Sequence, residues 1–418
     1  MARPAPRHGQ GTGRLPGWAW PGPAAVIAIA QLFGTSLWFS ANSAADGLMR
    51  SWGADAADIA WLTTAVQGGF IAGTLGLSFT GIADRYRPSR IFVISASAGA
   101  ALNLGFAYGA SGVGDGAVYR FLVGVSLAGI YPIGMKLVVG WDPQRTGRAL
   151  ALLVAMLTLG TALPHLLRAM GGAAPWQHII AASSALAVLG AVMIGRLGDG
   201  PHATQAAPRS RRTSPLSAFR IRRFRAAACG YFGHMWELYA FWAALPFLAG
   251  ATGLAARYPA LGTSGIAFAV IAAGAAGCLM GGRLSPVVGS EKVALGALAL
   301  SGSCALIFVL AWQSLPPVLL LLLLLVWGAA VVADSPQFSA LSAGACPREV
   351  LGGALAVQNA IGFAITMLSI PAAAALLERS GPSALWLLLP GPALGLISFI
   401  AITRRSKGRE NAAGPPQR

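Results

Sequence analysis

The sequence predicts an all-α membrane protein: twelve transmembrane helices in two pseudo-symmetric six-helix halves. Three observations carry that expectation. Of 418 residues, 56% are hydrophobic and only 10% charged, where an average soluble domain carries roughly 25% charged residues. Apolar stretches long enough to cross a hydrocarbon core, about 20 residues as a helix, recur along the whole chain. The basic residues, finally, gather on alternate connections between those stretches.

The stretches run over 22–44, 57–79, 90–110, 117–140, 149–170, 175–197, 226–249, 261–284, 292–312, 317–341, 352–377 and 383–403. Spans 2, 8 and 11 are rich in Gly and Ala, which in lipid marks helices packed closely together. The longest polar stretch, GDGPHATQAAPRSRRTSPLSAFRIRRFR at 198–225, separates the sixth span from the seventh. The organisation that follows is a tail over 1–21, one six-helix half over 22–197, a basic linker over 198–225, a second half over 226–403, and a tail over 404–418. The first twenty residues are Arg, Pro and Gly rich and lack the apolar core and cleavage site of a secretory signal. They read, like 404–418, as a disordered cytoplasmic tail.

A formal charge of +17 would suggest a nucleic-acid partner in a soluble chain. Its distribution argues otherwise. With the N-terminus inside and the spans alternating, all but five of the 30 basic residues fall on the cytoplasmic side, leaving Arg50, Arg120, Arg168, Arg257 and Arg379. This is the positive-inside pattern; it places both termini in the cytoplasm, the chain in the inner (plasma) membrane, and the bilayer rather than nucleic acid as partner. The four cysteines have neither paired nor metal-ligand spacing, and no nucleotide fingerprint, metal cluster or nucleophile triad occurs in a solvent-accessible segment. No enzyme activity, cofactor or metal is expected.

The two halves repeat. YPIGMKLVVGWDPQRTGRALA from Tyr131 aligns with SPQFSALSAGACPREVLGGALA from Ser335, bringing Pro132 onto Pro336 and Pro143 onto Pro347 at one offset of 204. TGIADRYRPSR after span 2 has its counterpart GRLSPVVGSEK after span 8 at an offset of 202. Two independent stretches thus share nearly one period.

With Gly81, Asp84, Arg85 and Arg90 in the loop after span 2, and Arg120 with Gly124 in span 4, the chain resembles the major facilitator superfamily over its membrane region. The loop matches that family's Gly-x-Leu-Ala-Asp-Arg-x-Gly-Arg-Arg signature, with Arg87 at its second glycine and Pro88 at the next Arg; span 4 matches its Arg-x-x-x-Gly motif. The resemblance implies a monomeric secondary transporter that rocks its halves about a midplane site, with spans 1, 4, 7 and 10 around a central cavity. It also implies that Arg120 takes part in proton coupling. The loop itself reads as a gate, since an acid at a helix end can accept from a neighbouring helix N-terminus.

Ionisable residues deep in a bilayer cost about 2.5–3.5 kcal/mol each on insertion scales, so they are read as functional. Glu237 is at the middle of span 7, in GHMWELYAFW, and His234 lies three residues before it on the same helix face. The pair can hold or pass a proton. Asp334 in span 10 precedes Pro336, a break tolerated at depth only beside protein or water. The expected coupling set is therefore Glu237, with His234, and a second site formed by Asp334 and Arg120. The expected cavity lining is Trp38, Tyr131, Trp236, Tyr239, Gln337, Gln358 and Asn359. The function read from these residues is secondary active transport of a small solute, driven by protons. Efflux of drug-like metabolites, uptake of small anions in the manner of nitrate or cyanate carriers, and uncoupled transport or sensing remain as alternatives. Against a nitrate carrier, MLTLGTALPHLL in span 5 lacks a glycine-rich signature, and spans 2 and 8 have no midspan Arg.

Overall fold

The structure is a computed structural model that describes residues 22–141, 146–172, 174–203, 214–347 and 350–412, with side chains throughout except at 84, 146–150 and 405–412. Of the expected tails, all of 1–21 and the 413–418 part of 404–418 lie outside the described residues. Described residues form helices α1 (Pro23–Thr35), α2 (Ser40–Ser43), α3 (Ala45–Trp52), α4 (Ala56–Thr80), α5 (Ile82–Arg85), α6 (Pro88–Gly109), α7 (Val113–Ala128), α8 (Tyr131–Trp141), α9 (Thr146–Gly171) and α10 (Trp176–Leu197). After the linker come α11 (Arg222–Ala251), α12 (Leu254–Arg257), α13 (Gly262–Val288), α14 (Ser290–Ala311), α15 (Pro317–Ala333), α16 (Ser335–Ala345), α17 (Leu351–Ser380) and α18 (Pro390–Ala412). Short 3₁₀ turns occupy Pro215–Arg220 and Gly381–Leu388.

Among these, eight helical stretches are long and apolar enough to cross a bilayer, one of them, Leu351–Arg404, containing α17 and the first part of α18. Two ends differ from the sequence reading. Helix α11 begins inside the expected linker, at Arg222, and α18 runs on through the expected tail to Ala412.

Packing partners sort the helices into two sets. In the first, α1 lies against α9 and α10, α6 against α7 and α10, and α4 against α7. In the second, α11 lies against α17 and α18, and α15 against α13 and α14. The sets join along a seam, chiefly through α4 with α17 and α9 with α13, and also through α9 with α16.

The repeat persists at the level of atoms. A Cβ on Gly124 of α7 would lie 2.1 Å from the Val66 carbonyl oxygen of α4, and one on Gly328 of α15 would lie 2.1 Å from the Val270 carbonyl oxygen of α13. Both pairs are related by the same offset of 204. Glycine is required in each half because backbone meets backbone there, the close approach that small residues permit in lipid.

Four of the long apolar stretches are broken, the twelfth at Leu389 between the second 3₁₀ turn and α18. The first is interrupted by turns at 36–39, between α1 and α2. The fourth breaks at Gly129 and Ile130, between α7 and α8, and the tenth at Asp334, between α15 and α16. In the fourth and tenth a proline follows two residues later, Pro132 and Pro336; its missing N–H and its ring displace the helix ladder. The backbone then closes with tighter i to i−3 bonds, such as Ile130 N to Leu127 O at 3.0 Å and Gln337 N to Asp334 O at 3.0 Å.

Replacing Gly124 or Gly328 by Ala should overpack its helix pair and cost about 1–3 kcal/mol. Unfolding of the purified chain in detergent measures this; two variants that melt with the parent would contradict the shared backbone contact.

Candidate functional site

The break in the first stretch exposes carbonyls that no helix ladder can satisfy. Helix α7 supplies their donor. Arg120 is wholly buried, and its Nη1 donates to the Leu37 carbonyl at 2.9 Å, Ser40 Oγ at 3.2 Å and Asn103 Oδ1 at 3.3 Å. Its Nη2 donates to the Trp38 carbonyl. Ser40 Oγ also donates to Asn103 Oδ1 at 2.9 Å, and Asn103 Nδ2 donates to the Ile180 carbonyl at 3.2 Å and to Ser184 Oγ at 3.1 Å. A planar guanidinium, with five donors in a fixed fork, suits two adjacent carbonyls in a way that an ammonium does not. The expected pairing of Arg120 with Asp334 is thus not formed. Arg120 is engaged entirely within the first helix set, and its depth comes from the broken helix it supports.

Asp334 meets His234 instead. The His234 Nδ1 to Asp334 Oδ1 separation is 2.8 Å, and both side chains are completely buried. Asp334 sits at the break itself, as the residue that opens α16, where the helix dipole favours an anion. The approach is a close ion-pair contact: by hydrogen-bond geometry neither imidazole nitrogen and neither Asp334 oxygen has a partner, and the Tyr231 ring lies 5.8 Å from the imidazole between centroids.

Glu237 faces a different neighbourhood. Its Oε1 accepts from Trp327 Nε1 of α15 at 2.6 Å and from Ser301 Oγ of α14 at 2.7 Å. Trp327 is held in turn by stacking on Phe241 at 4.1 Å. The expected His234–Glu237 partnership is corrected here: residues three apart on a helix are offset by about 60° around its axis, and donors on α14 and α15 take the glutamate while Asp334 takes the histidine. Glu237 is enclosed by helices of the second set, away from the seam.

The seam carries aromatic rings from both sets. Trp38, in the turn of the first stretch, stacks on Tyr239 of α11 at 5.9 Å and on Phe363 of α17 at 5.6 Å. Phe70 of α4 meets Phe363 at 4.5 Å, and Phe39 meets Trp242 at 6.1 Å. All six rings are buried. Around them stand amides with unused hydrogen-bonding capacity: Gln31 Oε1 and Nε2, Gln67 Nε2 and Gln358 Oε1. An unpaired buried polar group costs about 1–3 kcal/mol; several along one seam fit a place where solute or water is handled.

Of the remaining expected lining residues, Tyr131 opens α8 and is partly buried, Gln337 is buried one turn after Asp334, and Asn359 is partly buried on α17. Trp236 departs from expectation. It turns to the 3₁₀ segment of its own set, donating from Nε1 to the Leu387 carbonyl at 2.8 Å, because Gly391 leaves room for its ring.

In the expected gate, Gly81 ends α4 with φ at 70°, and Arg85 and Arg90 are exposed. The side chain of Asp84 lies outside the described residues. Lys136 of α8 donates to the Ala83 carbonyl. The N-terminus of α6 is bound by an acid from far along the chain: Ser89 N donates to Asp199 Oδ1 at 2.8 Å. Residues 198–203 of the expected linker lie along this end, where His202 N donates to the Gly140 carbonyl at 3.0 Å.

The sequence model described as Major Facilitator Superfamily matches residues 27–331. The chain belongs to the major facilitator superfamily. Similar solved structures include the xylose transporter XylE of E. coli in a partially occluded inward-open conformation, with a TM-score of 0.69, 13% identity, and 91% of this chain and 98% of that one covered. They include also the human organic anion transporter MFSD10 (TM-score 0.69, 16% identity, 92% and 100% covered). The nucleoside transporter NupG, solved in a mutant form, gives a TM-score of 0.68 at 14% identity, with 92% and 99% covered. No curated protein sequence matches the chain. At such identities the structural likeness is one of fold. Family and fold make this a multi-pass membrane transporter of small solutes and not an enzyme.

Several site residues were missed by sequence reasoning. Ser301 and Trp327 give no signal except that a lone indole in VLLLLLLLVWGAA needs an acceptor. His165, directly after Pro164 in α9, is buried with neither ring nitrogen partnered.

Two outcomes test these assignments. Arg120→Leu should cost about 1–3 kcal/mol of stability by orphaning the Trp38 carbonyl and leaving the Leu37 carbonyl only the Ser40 Oγ donor at 3.0 Å, with Arg120→Lys recovering only part. Melting at the parent temperature would contradict the capping role. Glu237→Gln keeps an acceptor for Trp327 and Ser301 and should stay within about 1 kcal/mol of the parent, whereas Glu237→Leu should lose about 2–4 kcal/mol; the same melting curves decide it.

Proposed function

We propose that the chain is a proton-coupled secondary transporter whose coupling site is the His234–Asp334 pair. The reading takes twelve spans as two halves, 22–197 and 226–403, that rock as a monomer in the inner membrane. The strongly basic end and both termini then face the cytoplasm.

The observation that carries the proposal is a fully buried His–Asp contact of 2.8 Å at the break between α15 and α16. The pair with one shared proton is electrically neutral overall, whether as carboxylate with imidazolium or as acid with imidazole. Adding a proton gives it a net positive charge, and removing one leaves a net negative charge. Either change is costly without water or a compensating solute charge, so the pair has a reason to load and unload only when one side of the seam opens. A break in the helix at the same residue supplies backbone that can rearrange with that change.

Glu237 belongs to this reading as a positioning residue. Its hydrogen bonds to α14 and α15 hold α11 against the helix that bears Asp334. Arg120 keeps the broken first stretch intact and carries no proton in this scheme.

The test uses full-length protein in vesicles with an imposed pH gradient and a panel of organic solutes, to find one that accumulates. For that solute His234→Gln and Asp334→Asn should each lose at least about tenfold in gradient-driven accumulation while keeping solute counterflow; Glu237→Gln should keep both. Undiminished accumulation in Asp334→Asn would sink the proposal.

A further inference from the structure

Away from the basic end, a cavity of about 230 Å³ opens between the two helix sets. Its wall is mostly apolar, from alanines of α4, α11 and α17 with Met49 and Phe247. Its charged lining residues are Asp46 of α3 and Glu378 of α17, one from each set, and both are acidic. Among the described residues neither carboxylate has an ion-pair partner. Arg50, one turn beyond Asp46, lines a separate cleft beside Arg168 and Trp176. In a chain of net charge +17, a pocket whose charged residues are carboxylates alone is a local reversal of sign.

The pocket also holds a fixed polar group. Asn42 is buried and lines it, with Nδ2 donating to Thr63 Oγ1 at 3.0 Å and Oδ1 accepting from Thr63 Oγ1 at 3.3 Å. One N–H and one lone pair of the amide are left over. Deeper along the same helices lies the aromatic layer. Trp38 and Phe39 are within about one turn of Asn42, and Tyr239 is one turn below Ala243. Phe247 is the one aromatic residue of the lining, and a ring face favours a cation over an anion of the same size; two carboxylates without an ion-pair partner add attraction of the same sign.

We propose that this pocket is a binding station for hydrophobic organic cations, amines or quaternary ammonium compounds, on the side opposite the basic end. Asp46 and Glu378 select the charge, Phe247 and the alanine wall receive the apolar body, and the aromatic layer of the seam lies beneath the station. The assignment rests on the transport reading only in treating the pocket as a stop on the solute's path.

The experiment is equilibrium binding to the purified full-length chain, with no gradient, using phenyltrimethylammonium and benzenesulfonate. These probes share a ring and a compact tetrahedral head but carry opposite charge. The cation should bind at least about tenfold more tightly than the anion, and the double variant Asp46→Asn with Glu378→Gln should weaken the cation by about tenfold while leaving the anion unchanged. Both side chains are exposed, so the variant is expected to melt with the parent, which the same preparation checks. Equal affinity for the two probes, no binding of the cation, or an unchanged cation affinity in the double variant would each overturn the proposal. Because binding is read without a proton gradient, its failure is distinct from failure of the His234–Asp334 coupling reading.

Discussion

Inside a bilayer no backbone N–H or C=O can be left without a partner, and this chain breaks its long apolar stretches there, three of them beside the site residues. How each break is satisfied governs the rest of the molecule. At 36–39 the solution is a guanidinium: Arg120 crosses from α7 to the Leu37 and Trp38 carbonyls, and Asn103 ties that cluster to α10. At 129–130 the chain closes on itself with i to i−3 bonds ahead of Pro132. At Asp334 the break bears a carboxylate, and a histidine from α11 meets it.

The repeat makes the difference between halves informative. The offset of 204 that superposes Gly124 on Gly328 and Val66 on Val270 places Leu324 opposite Arg120 and Ile130 opposite Asp334. Both counterparts are buried hydrophobic residues. The backbone scaffold is therefore duplicated, whereas the charges are not. In the first half the ionisable residue is committed to backbone carbonyls and stabilises a shape. In the second it is paired with an imidazole from another helix at a break in the backbone, the arrangement on which the proposed coupling rests. Aromatic rings from both halves, with Trp38 against Tyr239 and Phe363, form the layer where the two meet.

Much of this was legible in the sequence, and the gaps have physical causes. Hydrophobic length finds membrane helices because the bilayer imposes one thickness, and Pro336 marked the break in the tenth stretch because proline disrupts a helix wherever it sits; its repeat partner Pro132 stands at the break in the fourth. The break at GTSLWFSAN has no proline or other local signal; what sustains it, Arg120, lies far along the chain. The same limit applies to pairing. His234 and Glu237 are near in sequence, yet which helix each faces depends on the rotation of α11 against its neighbours, and that placed His234 on Asp334 and Glu237 on Ser301 and Trp327. Trp236 shows it again, turning to Leu387 where the aromatic run WELYAFW suggested a uniform cavity wall. Asp199 reaches the N-terminus of α6 from the linker, a contact between distant segments that no local pattern marks.

The account stands on one assignment, that the exchangeable proton belongs to Asp334 with His234 and not to Glu237. Infrared difference spectroscopy of the purified chain, stepped between neutral and acidic pH, reads protonation of buried carboxyls directly. The account predicts a carboxyl band on acidification that is absent in Asp334→Asn and retained in Glu237→Gln. A band that survives in Asp334→Asn and disappears in Glu237→Gln would contradict it.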